Sequence, residues 1–164
     1  GRQLRAGAAL AKGDVVWMVH ADTWLEKDAG RGVLSALGDE TAVGGGCWKQ
    51  FRDGKSGWML GSRFKFAIRL FVFGRVAADQ AIFVRRGVLE KIGGVPDLPL
   101  MEEFELCRKL RAEGRVVLAD TTVQTSARLF RRLGPLRTYG RMGRVVLAYY
   151  LGTPPAELRR IYER

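Results

Sequence analysis

Val15-Val16-Trp17-Met18-Val19, followed at once by His20-Ala21-Asp22-Thr23, is the stretch whose reading decides the fold. A continuous apolar run of strand length, rather than an alternating one, is what a strand covered on both faces shows. Upstream, Arg2 to Lys12 places Leu4, Ala8 and Ala11 on one face at spacings of four and three, as a short helix would, and Gly13-Asp14 ends it. Downstream, Asp28 to Leu37 reads as a helix and Thr41 to Phe51 as a strand interrupted by Gly44-Gly45-Gly46. That glycine run marks a bulge or a close backbone approach. Trp58 to Phe73 reads as a helix, Gln80 to Val84 as a short strand and Arg86 to Ile92 as a helical turn. Gly93 to Pro99 is a loop on its Gly/Pro punctuation.

Met101 to Glu113 then makes a helix with Phe104, Cys107 and Leu110 on one stripe, closed by Gly114. Val116 to Ala119 and Thr122 to Gln124 read as strands, and Leu136 to Leu151 and Pro155 to Tyr162 as helices. Strands interleaved with helices predict an α/β protein. The sheet is expected to be mixed but mostly parallel, flanked by helices. One domain is expected over 1–164, with a sheet core over 1–126 and a basic helical extension over 127–164.

The composition supports a packed core: 164 residues, 47% of them hydrophobic and 27% charged, are too apolar for a disordered chain. The most apolar stretch, Phe64 to Phe73, includes Lys65 and Arg69 and is far short of a membrane span. The first residues lack the apolar centre of a secretory signal. Two cysteines, Cys47 and Cys107, are too few for a disulfide framework, so reduced, buried thiols and a cytoplasmic location are expected. The net charge of +11 comes mostly from arginine, which suits phosphate recognition and equally a solvated basic surface.

Chemistry in an open α/β sheet gathers beyond the C-terminal ends of its strands. Asp22 falls at such a place. A hard cation keeps several waters and needs only one or two protein carboxylates when phosphates complete its shell. Asp22 is also the residue type that caps a following turn or helix. Glu102 and Glu103 open a helix directly after a Gly/Pro loop, where carboxylates favour the helix dipole. The same position would let one of them deprotonate an acceptor hydroxyl. His20 is the only histidine, and no zinc-ligand spacing accompanies it. No P-loop, G-x-G-x-x-G or G-x-S-x-G is present. Trp48, beside the glycine run, is a candidate for stacking on a sugar, or a core or interface tryptophan.

Several motifs in order carry a resemblance. Gly7-Ala8-Ala9-Leu10-Ala11-Lys12-Gly13-Asp14, the strand and His20-Ala21-Asp22-Thr23 resemble family 2 glycosyltransferases. The narrower likeness is to the bacterial branch whose metal motif reads H-A-D-T rather than D-x-D. Asp79-Gln80-Ala81-Ile82-Phe83-Val84-Arg85-Arg86, Ile92 to Asp97, Pro99 to Leu106, Thr125-Ser126-Ala127-Arg128 and Leu151-Gly152-Thr153-Pro154-Pro155 match that branch too, so the resemblance spans nearly the whole chain.

The resemblance implies a GT-A (Rossmann-like) fold that transfers a sugar, with inversion, from a nucleotide-diphosphate donor to a hydroxyl or lipid-linked acceptor. It implies that Asp22 holds Mg²⁺ or Mn²⁺ and that Glu103, beside Glu102, is the general base. Gln3, Arg5 and His20 would lie on the donor side; Asp79, Gln80, Trp48 and Arg128 on the sugar or acceptor side. At the base position the branch usually carries Asp, so Glu103 reaches further by about one carbon–carbon bond, ~1.5 Å. Arg5 stands where relatives often carry Asn. The family's opening strand and the next strand–helix unit are not in this chain. Without them, an open sheet edge and exposed flanks of Val15 to Val19 are expected, with marginal stability or self-association through that edge.

A second function class stays open beside the enzyme: a non-catalytic basic module on nucleic acid or an anionic membrane surface. Arg128, Arg131, Arg132, Arg137, Arg141 and Arg144 cluster near Phe130, Tyr139, Tyr149 and Tyr150, a pairing that suits phosphate and base contacts or a helix lying on lipid. The order of the motifs favours the enzyme, with contact to the inner face of a membrane compatible with it and nucleic acid disfavoured.

Overall fold

The structure, a computed structural model, describes residues 1–52, 70 and 74–163. Among these, α1 (Arg2–Leu10) leads into β1 (Val15–Met18) and β2 (Thr23–Leu25), then α2 (Ala29–Ala36) and β3 (Ala42–Phe51). A 3₁₀ turn (Ala78–Gln80) precedes β4 (Ile82–Arg85), α3 (Arg86–Lys91) and α4 (Glu102–Glu113). The chain ends with β5 (Arg115–Thr125) and three helices, α5 (Arg128–Leu133), α6 (Pro135–Tyr150) and α7 (Pro155–Glu163). The helix expected over Trp58–Phe73 lies outside the described residues apart from Leu70.

The strands form one mixed sheet in the order β1-β4-β3-β5-β2. The expectation of a mostly parallel sheet is corrected here: β3–β5 is parallel, whereas β1–β4, β3–β4 and β2–β5 are antiparallel. Apolar runs in β1 and β4 arise from burial under helices on both faces, which is not peculiar to parallel pairing. Val16, Met18, Val43, Ile82 and Val84 pack with Leu89, Leu106 and Leu110 on one face. On the other, Phe83, Ala42, Cys47, Ala119 and Val123 pack against Val33 and Leu37 of α2.

β3 and β5 depart from the expected pattern at one point and match it at another. The expected strands Val116–Ala119 and Thr122–Gln124 are one strand, whose register against β3 shifts between Cys47 and Trp48, so Asp120-Thr121 is an irregularity rather than a break. The glycine run is a close backbone approach: a Cβ on Gly44 would lie 2.6 Å from Phe83 O, and one on Gly45 would lie 2.0 Å from Val117 O. Neither position tolerates a side chain without separating the strands.

The sheet is curled. Laid flat, four inter-strand spacings would put β1 and β2 about 19 Å apart. The residues joining them are only Val19 to Asp22, and Thr23 N–H donates to His20 O at 3.0 Å, closing a turn. Two extended residues and one turn reach only ~14 Å. The edges therefore approach each other at the end where β1 finishes.

β1 pairs on one side only, with β4, among the described residues. Its flanks are nonetheless covered. Val16 and Met18 are buried, and Val15, Trp17 and Val19 are half-buried against the second core cluster, with the Trp17 indole N–H donating to Ala81 O at 3.0 Å. The edge is open and its faces are covered unequally: Val16 and Met18 are buried on the side of α1 and α4, whereas Val15, Trp17 and Val19 stay half-buried on the side of α2 and line a groove.

Candidate active site

Strand directions decide what meets where. β1, β3 and β5 run the same way, and β2 and β4 run against them. The C-terminal ends of the first three and the starts of the other two therefore share one end of the sheet. That end carries His20 and Asp22 after β1, Trp48 and Lys49 near the end of β3, Asp79 and Gln80 ahead of β4, and Arg128 after β5.

α4 brings in the carboxylates. Because α4 leads directly into β5 through Gly114, its first turn, with Glu102, Glu103 and Glu105, lies toward the same end. Glu102 and Glu103 line a narrow cleft together with His20, Met18, Ala78, Ile82, Leu4, Val95 and Leu106. The cleft is small, about 10 Å³, and borders a separate groove of about 1000 Å³ that runs along α1 and the open edge of β1. Leu4, Met18, His20 and Glu102 are common to both. Gln3 lines the groove, whereas Arg5, on the same helix, is exposed outside it. Asp22 is exposed in the β1–β2 turn, one residue past Ala21 at the groove's rim.

The carboxylates of α4 are held differently. Glu102 Oε1 accepts from the amino group of Gly1 at 3.2 Å. Glu105 is gripped by Arg108 through two bonds of 2.8 and 2.6 Å. Those bonds hold its carboxyl below the usual carboxylate range. Glu103 is half-buried on the cleft wall.

Across the end of the sheet, the buried Lys49 ammonium donates to Asp79 Oδ2 and lies 4.6 Å from the Phe51 ring centroid. Gln80 is 1% exposed, and its amide is engaged on both sides: Nε2 donates to Cys47 O at 3.1 Å and Oε1 accepts from Ala77 N at 2.8 Å. Gln80 thus ties the 3₁₀ turn to β3 and sets the position of Asp79. Trp48 is half-buried opposite Thr122, next to the register shift. Arg128 is exposed at the start of α5, its backbone N–H donating to Ser126 Oγ at 3.2 Å. Neither Trp48 nor Arg128 lines the groove.

Two further observations mark this end as unusual. Among the described residues, the buried side-chain polar atoms without a hydrogen-bond partner are Thr23 Oγ1, Arg75 Nη1 and Asp79 Oδ1. Thr23 follows Asp22, and Arg75 lies over the ring of Phe104, the neighbour of Glu103, at 4.4 Å. Buried polar groups are ordinarily paired with protein or water. Among the described residues, the non-glycine ones with left-handed backbone are Ala81 (φ 49°) and Met101 (φ 66°), adjoining Gln80 and Glu102. Such conformations cost on the order of 1 kcal/mol and persist where surrounding structure imposes them. Sequence reasoning singled out Thr23 only as part of the His20-Ala21-Asp22-Thr23 motif and missed Lys49 and Arg75. A lysine inside an otherwise apolar strand was the one available signal, for Lys49.

For a divalent cation the donor set is sparse. No group of three or more His, Cys, Asp or Glu side chains among the described residues is placed to hold one. The exposed carboxylate of Asp22 fits a hard cation that arrives bound to a diphosphate, not a resident ion caged by protein. Cys47 offers no alternative nucleophile: burial pushes its thiol up to about 12. No helix among the described residues is long and apolar enough to cross a membrane. Compared with known proteins, the chain matches no family model and no curated protein.

Proposed function

We propose that this chain carries the metal- and acceptor-side part of an inverting glycosyl-transfer site of the GT-A kind, acting on a nucleotide-diphosphate sugar. The observation that carries the reading is the placing of His20, Glu102 and Glu103 together around one narrow cleft at the C-terminal end of β1. The ordered motifs of the sequence add to it.

In this reading Glu103 accepts the proton of the acceptor hydroxyl as its oxygen bonds to the anomeric carbon. The bond from that carbon to the diphosphate breaks, and the diphosphate leaves with the electron pair. α4 holds the base rigidly, since Leu106, Cys107 and Leu110 anchor the helix in the core. His20 and Gln3 border the donor on the groove side, and Asp79, held by Lys49, faces the sugar or acceptor. A divalent cation on Asp22, Mg²⁺ or Mn²⁺, would neutralise charge on the leaving diphosphate.

The test is calorimetric titration of UDP and GDP, with and without Mn²⁺, on the chain and on Asp22→Ala. Manganese-dependent binding that the variant loses supports the reading. Absence of binding to both nucleotides, or binding indifferent to Asp22, overturns it for this chain. Where turnover is measurable, Glu103→Gln should lower kcat by about 100-fold or more while leaving nucleotide affinity unchanged.

A further inference from the structure

The outward face of α6 contradicts what a solvent-exposed helix should look like. At 100° per residue, Leu136, Tyr139, Gly140, Gly143, Leu147, Tyr150 and Leu151 fall within an arc of about 120°. That arc lies opposite Thr138 and Val145, the buried residues of the helix. No charged residue falls inside it, yet it faces solvent: Leu136 is 88% exposed, Leu147 61% and Leu151 76%. Surface helices normally put charge there. Arg137 and Arg144, both exposed, border one side of the arc, and the exposed Arg131 and Arg132 precede it on α5. Between residues 121 and 156 the sequence has six arginines and no Asp or Glu.

We propose that α6 is a membrane-surface anchor: its apolar face enters the interface of an anionic bilayer, and the flanking arginines sit on the headgroups. Charge complementarity selects this occupant. A leucine-rich arc edged by arginine, on a helix too short to cross a bilayer, is the interfacial pattern. A second copy would bring the same arginine-edged, acid-free surface against itself in a protein already at +11. A nucleic acid would meet leucines where it needs cations. The proposal is independent of the glycosyl-transfer reading, since α6 contributes no residue to the groove.

The experiment is co-sedimentation of the full chain with mixed phosphatidylglycerol–phosphatidylcholine vesicles and with pure phosphatidylcholine vesicles. Two double variants accompany it, Leu147→Asp with Leu151→Asp and Arg137→Gln with Arg144→Gln, each checked for an unchanged circular dichroism melt. Binding to the anionic vesicles is expected, with much weaker binding to neutral ones. The leucine pair should weaken it by about tenfold or more, and each arginine removed by about fivefold. Failure to bind anionic vesicles overturns the proposal, as does binding that the leucine pair leaves intact. A dimer that the leucine pair dissociates, without lipid binding, assigns the face to a second copy instead. Oligonucleotide binding without vesicle binding overturns it in favour of nucleic acid. The arginine pair keeps the test decisive if the leucine variant misfolds, because lipid binding indifferent to those charges is equally fatal.

Discussion

The middle of the sheet and the outer face of α6 use the same residue types to opposite ends. In β3 the glycines let strands approach so closely that a side chain has no room. On α6, Gly140 and Gly143 have nothing within 4 Å of where a Cβ would stand. In the core Leu106 and Leu110 are all but inaccessible, whereas Leu136, Leu147 and Leu151 stand in solvent. One region is over-determined by packing and holds a cleft in place. The other is left uncovered, with arginines along its edge. Residue type by itself therefore says little here; what surrounds each residue decides whether it is packed into the core or left in solvent.

The largest break in that comparison should come from Gly45→Val. Its Cβ meets Val117 O and the Phe83 ring, and the variant should lose about 3 kcal/mol or more, read as a collapsed thermal melt or insoluble protein. Next, Leu110→Ala should cost about 2–5 kcal/mol by opening a cavity. Leu147→Ala on α6 should stay within about 0.5 kcal/mol. Chemical denaturation of the two variants side by side checks the contrast, and equal losses would mean that the α6 face is covered in solution. In the opposite direction, Gly143→Ala should stabilise by about 0.5–1 kcal/mol, as alanine does in an unobstructed helix interior.

Smaller effects follow from titration. Burial raises the Cys47 thiol from 9.0 to about 12. A group that binds its proton more tightly when folded stabilises below its unfolded value and loses that contribution as pH rises through the folded one. Denaturation midpoints should therefore fall between pH 9 and 12, and Cys47→Ala should flatten that slope. The native thiol should also resist iodoacetamide until the protein unfolds. Asp39 acts at the other extreme: bonds from Thr41 hold its carboxyl below 3.8, with Arg115 Nη1 2.7 Å away. Its contribution is present above that value and fades as pH falls further. Fully exposed, it should give the smallest effect, a slight weakening of acid resistance in Asp39→Ala.

Much of the architecture was legible in the chain. The helices over 2–10, 29–36, 102–113 and 135–150 followed from periodicity and Gly/Pro punctuation, because such signals are local. β2 was not legible, being three residues long and fixed by pairing with the far strand β5. Nor was the antiparallel character of the sheet, since burial under helices makes parallel and antiparallel strands look alike in sequence. Of the candidate residues, Asp22, Glu102 and Glu103 drew attention by standing at junctions of elements. Lys49 and Arg75 did not, because what marks them is a partner or its absence across the sheet.

The sequence by itself determined most of the helices and the longer apolar strands, the basic, acid-free C-terminal region and the polar junctions after β1 and before α4. Only the tertiary structure decided which of these meet. Strand order and direction are long-range choices, set by how faces bury rather than by neighbours along the chain. The curl imposed by the short β1–β2 link draws the sheet edges together at the end where β1 stops. The chain direction through α4 into β5 brings Glu102 and Glu103 to His20, and the packing of α6 through Thr138 and Val145 turns its leucines outward.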